Sequence, residues 1–286
     1  MKLVSLLRDG RSAIGVLADD ETVVDLSAAA PDLPRGMCRF LAAGDEAMDA
    51  ARRAVDSGAG RVPLADQTLL APVPKPRKFF AIGLNYADHA AETGQQLPRF
   101  PTVFNKQVTC VNRPGGDIHI PRASSAVDYE GEFAFVIGRR CRAVGAEDAA
   151  AAIAGYTIVN DVSVRDWQRR SPTMILGKGW DTHGPMGPYL VTADEVEDPN
   201  ALGIRTWVND ELRQDSNTRE LVFDCPRLVE TISTMCTLEP GDVVSTGTPA
   251  GVGAAHDPPK FLVAGDVVRI EIDGLGTLEN PVVAEP

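Results

Sequence analysis

The chain has 286 residues, 44% of them hydrophobic and 24% charged, a globular composition with material for one large core or two smaller ones. Its formal net charge of −12 argues against an electrostatic hold on nucleic acid or on an anionic membrane surface. Five irregularly spaced cysteines without a C-x-x-C, and no apolar run approaching about 18 residues, read as a soluble cytoplasmic protein with reduced thiols.

Residues 1–26, "MKLVSLLRDGRSAIGVLADDETVVDL", alternate short apolar runs with Asp-Gly and Asp-Asp turn signals and predict a β-meander. "GDEAMDAARRAVDSG" predicts a helix with Asp45 near its start and Gly58 just past its end. Pro72, Pro74 and Pro76 then hold the backbone extended and mark a connector. These features predict a small N-terminal α+β domain over 1–70 and a larger domain over 71–286. In the larger part, "GLNYADHAAETG" (83–94) predicts a short helix closed by Gly94, and "GAEDAAAAIAGY" (145–156) a longer one with acids in its first turn. Strands are expected at 127–138, 155–163, 187–192, 204–209, 242–246 and 266–272. The expected class is α+β, mostly β, with a β-roll or closed sandwich as the main body.

The chemistry begins with "VDYEGEFAFVIG", where Glu130 and Glu132 are two residues apart. Strand side chains alternate, so both carboxylates share a face. At roughly 6 Å they repel by about 3 kcal/mol for an effective dielectric of about 20. An E-x-E pair alone usually marks a solvated strand face. Here the strand opens into "FAFVIG", an unbroken apolar run that suggests burial on both faces. A third acid, Asp161, interrupts another apolar strand. Three buried strand acids are costly unless compensated, and an all-oxygen set suits Mg²⁺, Mn²⁺ or Ca²⁺ rather than zinc.

His89 and Glu92 stand at i and i+3, which on a helix is one face. A carboxylate beside an imidazole fixes its tautomer and makes a general base, although an exposed capping pair has the same spacing. The glycines around this segment suggest a mobile lid. Lys178, between Gly177 and Gly179, could balance the acids or bind an oxyanion. "STGTPAGVG" (245–253) lacks the lysine and the following helix of a nucleotide loop, but its N–H groups and the Thr248 hydroxyl could receive a carboxylate. No role is assigned to His183.

Taken in order, "GLNYADHAAE", "DYEGEFAFVIG", "NDVSVRDWQ", "GKGWDTHGPMGP" and "PGDVVSTGTPAGVG" resemble the fumarylacetoacetate hydrolase family over roughly residues 70–280. The pattern resembles that of its bacterial acylpyruvase and 2-hydroxyhepta-2,4-diene-1,7-dioate isomerase-like branch. The resemblance implies a β-roll catalytic domain, a homodimer, and a divalent cation, Mg²⁺ first, on Glu130, Glu132 and Asp161. It also implies a water-activating His89–Glu92 dyad, Lys178 as an active-site cation, and Arg165, Gln168 and Thr248 as substrate contacts. Leu84, where many relatives carry Arg, and Gln107, where a Pro is frequent, depart from the pattern.

The expected function is metal-dependent hydrolysis of a C–C bond in a 2,4-diketo acid such as an acylpyruvate. Water activated by His89 would attack C4, and a pyruvate enolate would leave. The alternative is a decarboxylase, isomerase or tautomerase acting on a related 2-oxo acid such as oxaloacetate or a homoprotocatechuate-pathway intermediate. A non-catalytic binding module is the third option, and the presence of His89, Glu92 and Lys178 speaks against it.

Overall fold

The computed structural model describes residues 1–286. It is α+β and mostly β, with a 12-stranded mixed sheet, a five-stranded sheet and a two-stranded ribbon. The strand Gly131–Ile137 lies inside the large sheet and is buried along its whole length. It pairs antiparallel with Ile153–Asn160 on one side and Val243–Ser245 on the other. Its run of Phe133, Ala134, Phe135, Val136 and Ile137 suits such a place, because both faces meet protein. Phe133, Phe135 and Ile158 feed one core cluster, while Ala134, Val136 and Val159 feed another.

The N-terminal meander is present as Lys2–Arg8, Arg11–Leu17 and Thr22–Asp25. Helix Gly44–Ser57 follows, closed by Gly58 at φ 68°. These strands do not make a sheet of their own. Lys2–Arg8 pairs with Gly184–Thr192, so the meander extends the large sheet. Leu3 and Phe40 also share a core cluster with Ala134, Val136 and Met186. No side chain of residues 1–70 lines the cavity described below. We propose that the division near residue 70 is one of role, with the first part buttressing the second through a common core.

The helix expected at 145–156 is much shorter. It runs Ala146–Ala149, tightens into a 3₁₀ turn over Ala150–Ala152, and becomes strand at Ile153. Alanine propensity yields here to the ladder that Ile153–Asn160 makes with Gly131–Ile137. A helix absent from the sequence reading spans Cys225–Met235, capped by Asp224 and packed through Leu228, Val229 and Ile232. No helix is long and apolar enough to cross a membrane. All five cysteines are free thiols.

The shared sheet and core lead to a direct expectation. Calorimetric unfolding should show one cooperative transition rather than two. Leu3→Ala, at a fully buried position, should lower the stability of the whole chain by about 2–5 kcal/mol. Two resolved transitions, with only the first moved by Leu3→Ala, would show an independent N-terminal domain.

Candidate active site

The site forms where two neighbouring strands of the large sheet meet at one end. Gly131 faces Asn160 and Glu132 faces Val159 across the ladder. Continuing this register outward brings Glu130 to Asp161, whose N–H donates to the Glu130 carbonyl at 2.9 Å. Residues from separate strands thus converge by pairing alone. Oxygens of Glu130, Glu132 and Asp161 lie within 4.8 Å of one another, and all three residues are buried. They line a cavity of about 390 Å³ together with His89, Arg165, Gln168, Lys178 and Thr248. All nine side chains singled out in the sequence except Glu92 therefore face one space, and Glu92 sits directly behind His89.

Lys178 ends the short helix Ile175–Lys178. Its Nζ donates to Glu130 Oε2 at 2.5 Å and to Asp161 Oδ2 at 2.7 Å. The preceding Gly177 has no room for a side chain, since an added Cβ would stand 2.6 Å from the Gln168 Cα. That contact lets the Lys178 segment lie against the Arg165–Gln168 helix. Arg165 gives Nε to Asp128 Oδ2 at 2.8 Å and NH1 to Glu130 Oε1 at 2.7 Å. Its remaining nitrogen, NH2, is buried without a protein partner. Thr248 lines the cavity, but its hydroxyl already donates to the Gly131 carbonyl and accepts from Gln214.

His89 and Glu92 lie on helix Ala87–Glu92, with His89 Nδ1 3.1 Å from Glu92 Oε2. Glu92 Oε1 accepts the Gly251 N–H at 2.8 Å. Gly251 has φ 102°, and an added Cβ would stand 1.9 Å from the Arg213 carbonyl, so no other residue fits this turn. The segment is better held than its small side chains suggest. Asp88 accepts from Ser216 at 2.6 Å, and buried Asn85 bonds Phe223 and Thr246. Polar tethers replace the apolar packing that the alanines lack.

Two participants were not singled out in the sequence. Lys106 is buried and donates to Asp161 Oδ1 at 2.5 Å and to the Lys178 carbonyl at 2.7 Å. Asp128 accepts from Arg165, from Gly253 N–H at 2.7 Å and from Ala254 N–H at 2.9 Å. His183 is buried against the His119 carbonyl, and burial pushes its pKa down to about 4, so it is a neutral structural group.

The buried charges do not balance. Fully ionised, Asp128, Glu130, Glu132 and Asp161 would contribute four negative charges against three positive ones from Lys106, Arg165 and Lys178, a formal sum of −1. Burial would raise the Glu130 pKa, but Lys178 and Arg165 outweigh it and hold it at about 2. Burial keeps pressing the Lys178 pKa down, yet Asp161 and Glu130 hold it above its ordinary value. Glu132 has no cationic partner of its own. Burial, then Asp161 and Glu130, push its pKa well up, against hydrogen bonds from Ser245 at 2.5 Å and Gly247 N–H at 3.1 Å. An all-oxygen set with one uncompensated carboxylate fits a hard divalent cation.

A family model for the fumarylacetoacetate hydrolase C-terminal region matches residues 78–283. A mitochondrial oxaloacetate tautomerase from Xenopus laevis is 46% identical over 269 residues, covering 93% of this chain and 84% of the relative. A crystal structure of maleylpyruvate hydrolase from Sphingobium sp. with manganese(II) and pyruvate superposes with a TM-score of 0.81 at 33% identity, over 100% of both chains. The 2-hydroxyhepta-2,4-diene-1,7-dioate isomerase of Mycobacterium marinum superposes at 0.79 and 34%, over 100% of this chain and 99% of that one.

Glu132 gives a pH test with a definite sign. Its folded pKa is raised, so as pH climbs above about 4.5 the unfolded chain releases this proton before the folded one does. Metal-free protein should therefore lose stability as pH rises from there, until Glu132 itself ionises. Added Mg²⁺ or Mn²⁺ should raise the melting temperature strongly at pH 8 and little at pH 5. Glu132→Gln should flatten the pH slope and abolish the metal-induced shift. A full metal shift in Glu132→Gln would place the cation elsewhere.

Proposed function

Since the chain belongs to the fumarylacetoacetate hydrolase family, we propose that it is a divalent-metal-dependent enzyme interconverting the enol and keto forms of a small 2-oxo acid of the oxaloacetate class. The observation that carries this reading is the His89–Glu92 pair, set on the same cavity as the buried carboxylates and Lys178. Glu130, Glu132 and Asp161 would hold the cation, Mg²⁺ or Mn²⁺. When bound, the cation supplies electrostatic stabilisation for negative charge at the substrate's 2-oxo oxygen.

The protein's own groups divide the remaining work. Glu92 holds His89 Nδ1 and leaves Nε2 as the ring's free nitrogen. His89 takes the enol O–H proton at Nε2 and returns it to C3; the O–H electron pair becomes the carbonyl π bond and the C2=C3 π pair forms the new C3–H bond. Lys178 remains an ammonium, because Asp161 and Glu130 hold its pKa up, and so acts as a donor to the developing oxyanion rather than as a base. Arg165 NH2, buried without a partner, is a ready donor for the substrate's C1 carboxylate.

The sequence reading ranks C–C hydrolysis first. The order is reversed here because the relative at 46% identity carries the tautomerase name, while the maleylpyruvate hydrolase stands at 33%. Hydrolysis stays as the second reading, since the same dyad can activate a water. A homodimer is part of the proposal. Leu97 and Phe100, 54% and 67% exposed beyond the lid helix, offer apolar surface for it, and light scattering reports the mass directly.

The test is a substrate pair. With Mg²⁺ or Mn²⁺, ketonisation of enol oxaloacetate should be accelerated, and His89→Ala should reduce that acceleration by about 10²-fold or more with metal affinity unchanged. Cleavage of an acylpyruvate to pyruvate, without any effect on oxaloacetate, would establish the hydrolase instead. Near-normal ketonisation by His89→Ala would remove His89 from the mechanism.

A further inference from the structure

Four side chains lining the cavity carry or can carry positive charge: His89, Arg165, Arg169 and Lys178. Three of them are engaged by acids. Lys178 meets Glu130 and Asp161, Arg165 meets Asp128 and Glu130, and His89 meets Glu92. Arg169 has no acidic partner. Its neighbour Arg170 differs, reaching Asp166 at 3.9 Å and stacking on Trp167. In a chain with 40 acidic residues against 28 basic ones, a guanidinium left free at a cavity points to an anion from outside.

Its placement narrows that anion. Arg169 is the C-cap of the Arg165–Gln168 helix, still right-handed, and its N–H donates to the Arg165 carbonyl at 3.3 Å. Arg165 and Arg169 thus rise from one face a single turn apart, with Cβ atoms about 5–6 Å from each other. The cavity's acids, Glu130, Glu132 and Asp161, all lie at the buried inner end. The outer wall is neutral, formed by Leu84, Thr93, Gln95, Thr102 and Met174. The carboxyl carbons of a four-carbon diacid are about 4 Å apart across three bonds of roughly 1.5 Å. Such a molecule can present one carboxylate to the inner end and the other to Arg169 without meeting a negative group outside.

We propose that Arg169 is the specificity-determining residue of this site, binding the second carboxylate and selecting dicarboxylic over monocarboxylic 2-oxo acids. The assignment rests on the 2-oxo acid reading above and adds to it the charge of the substrate's far end. A planar guanidinium suits a carboxylate through two parallel N–H donors, which a lysine cannot reproduce.

The experiment is calorimetric competition on Mg²⁺-loaded protein, with oxaloacetate and 2-oxobutyrate as the probes. The wild type should bind oxaloacetate about tenfold or more tightly than 2-oxobutyrate, within the range of a charge-assisted contact at a half-open site. Arg169→Met should erase that gap by weakening oxaloacetate alone, and Arg169→Lys should restore part of it. Arg169 is exposed, so an unchanged melting temperature will confirm folding of the variants. A gap that survives Arg169→Met, or equal weakening of both acids, would overturn the assignment. Turnover measured alongside separates the two claims. If Arg169→Met erases the diacid preference but the wild type ketonises nothing, the enolising reading falls while the role of Arg169 stands.

Discussion

The ammonium of Lys178, buried between Glu130 and Asp161, is the contact on which the rest of the site depends. Two buried carboxylates cannot both stay charged without a counter-charge, and removing one member of such a group costs about 3–5 kcal/mol. Lys106 completes the arrangement from behind, holding the other oxygen of Asp161 and the Lys178 carbonyl together. Arg165 does the same for Glu130 and is itself anchored by Asp128. Each acid that faces the cavity is therefore fixed by a cation behind or beside it, except Glu132. That exception makes Glu132 the carboxylate whose ionisation a divalent cation would favour.

Much of this was legible in the chain, because period-two alternation is a local signal. Glu130 and Glu132 announced themselves in a strand too apolar to be a surface one. The same alternation extends back to Asp128, which could have been found by counting one step further. Lys106 could not. It is 55 residues from Asp161, and nothing near "FNKQVT" indicates which acid it meets. Gln214, whose amide holds Gly131, Thr248 and Pro249 in place, is invisible for the same reason. The misjudged helix at 145–156 marks the limit of propensity. Four consecutive alanines argue for helix, yet the β-branched and aromatic run after Ile153 finds a partner strand, and long-range pairing wins.

Fold and metal-binding pattern leave the reaction open, as the relatives themselves illustrate: tautomerase, isomerase and hydrolase share this architecture. In the proposed reading, the inner end of the cavity would serve the charge that develops on the oxygen of a 2-oxo acid. Differences must then come from the outer wall and the lid, which belong to loops and short helices rather than to the sheet. The N-terminal meander contributes no lining group, but it extends the sheet from which the site's strands are drawn.

The turn over residues 245–253 has a consequence for how this protein can change over time. Its backbone amides reach three separate carboxylates: Gly247 N–H meets Glu132 beside the Ser245 hydroxyl, Gly251 N–H meets Glu92, and Gly253 N–H meets Asp128. One stretch of main chain thus registers Glu132, the His89–Glu92 helix and the Asp128–Arg165 pair against each other. Every residue but proline carries a peptide N–H, so an ordinary substitution leaves these donors in place. It can only bend the path that aims them. A shift of this turn would therefore disturb all three carboxylates together, where a change at a single side-chain contact would disturb only one.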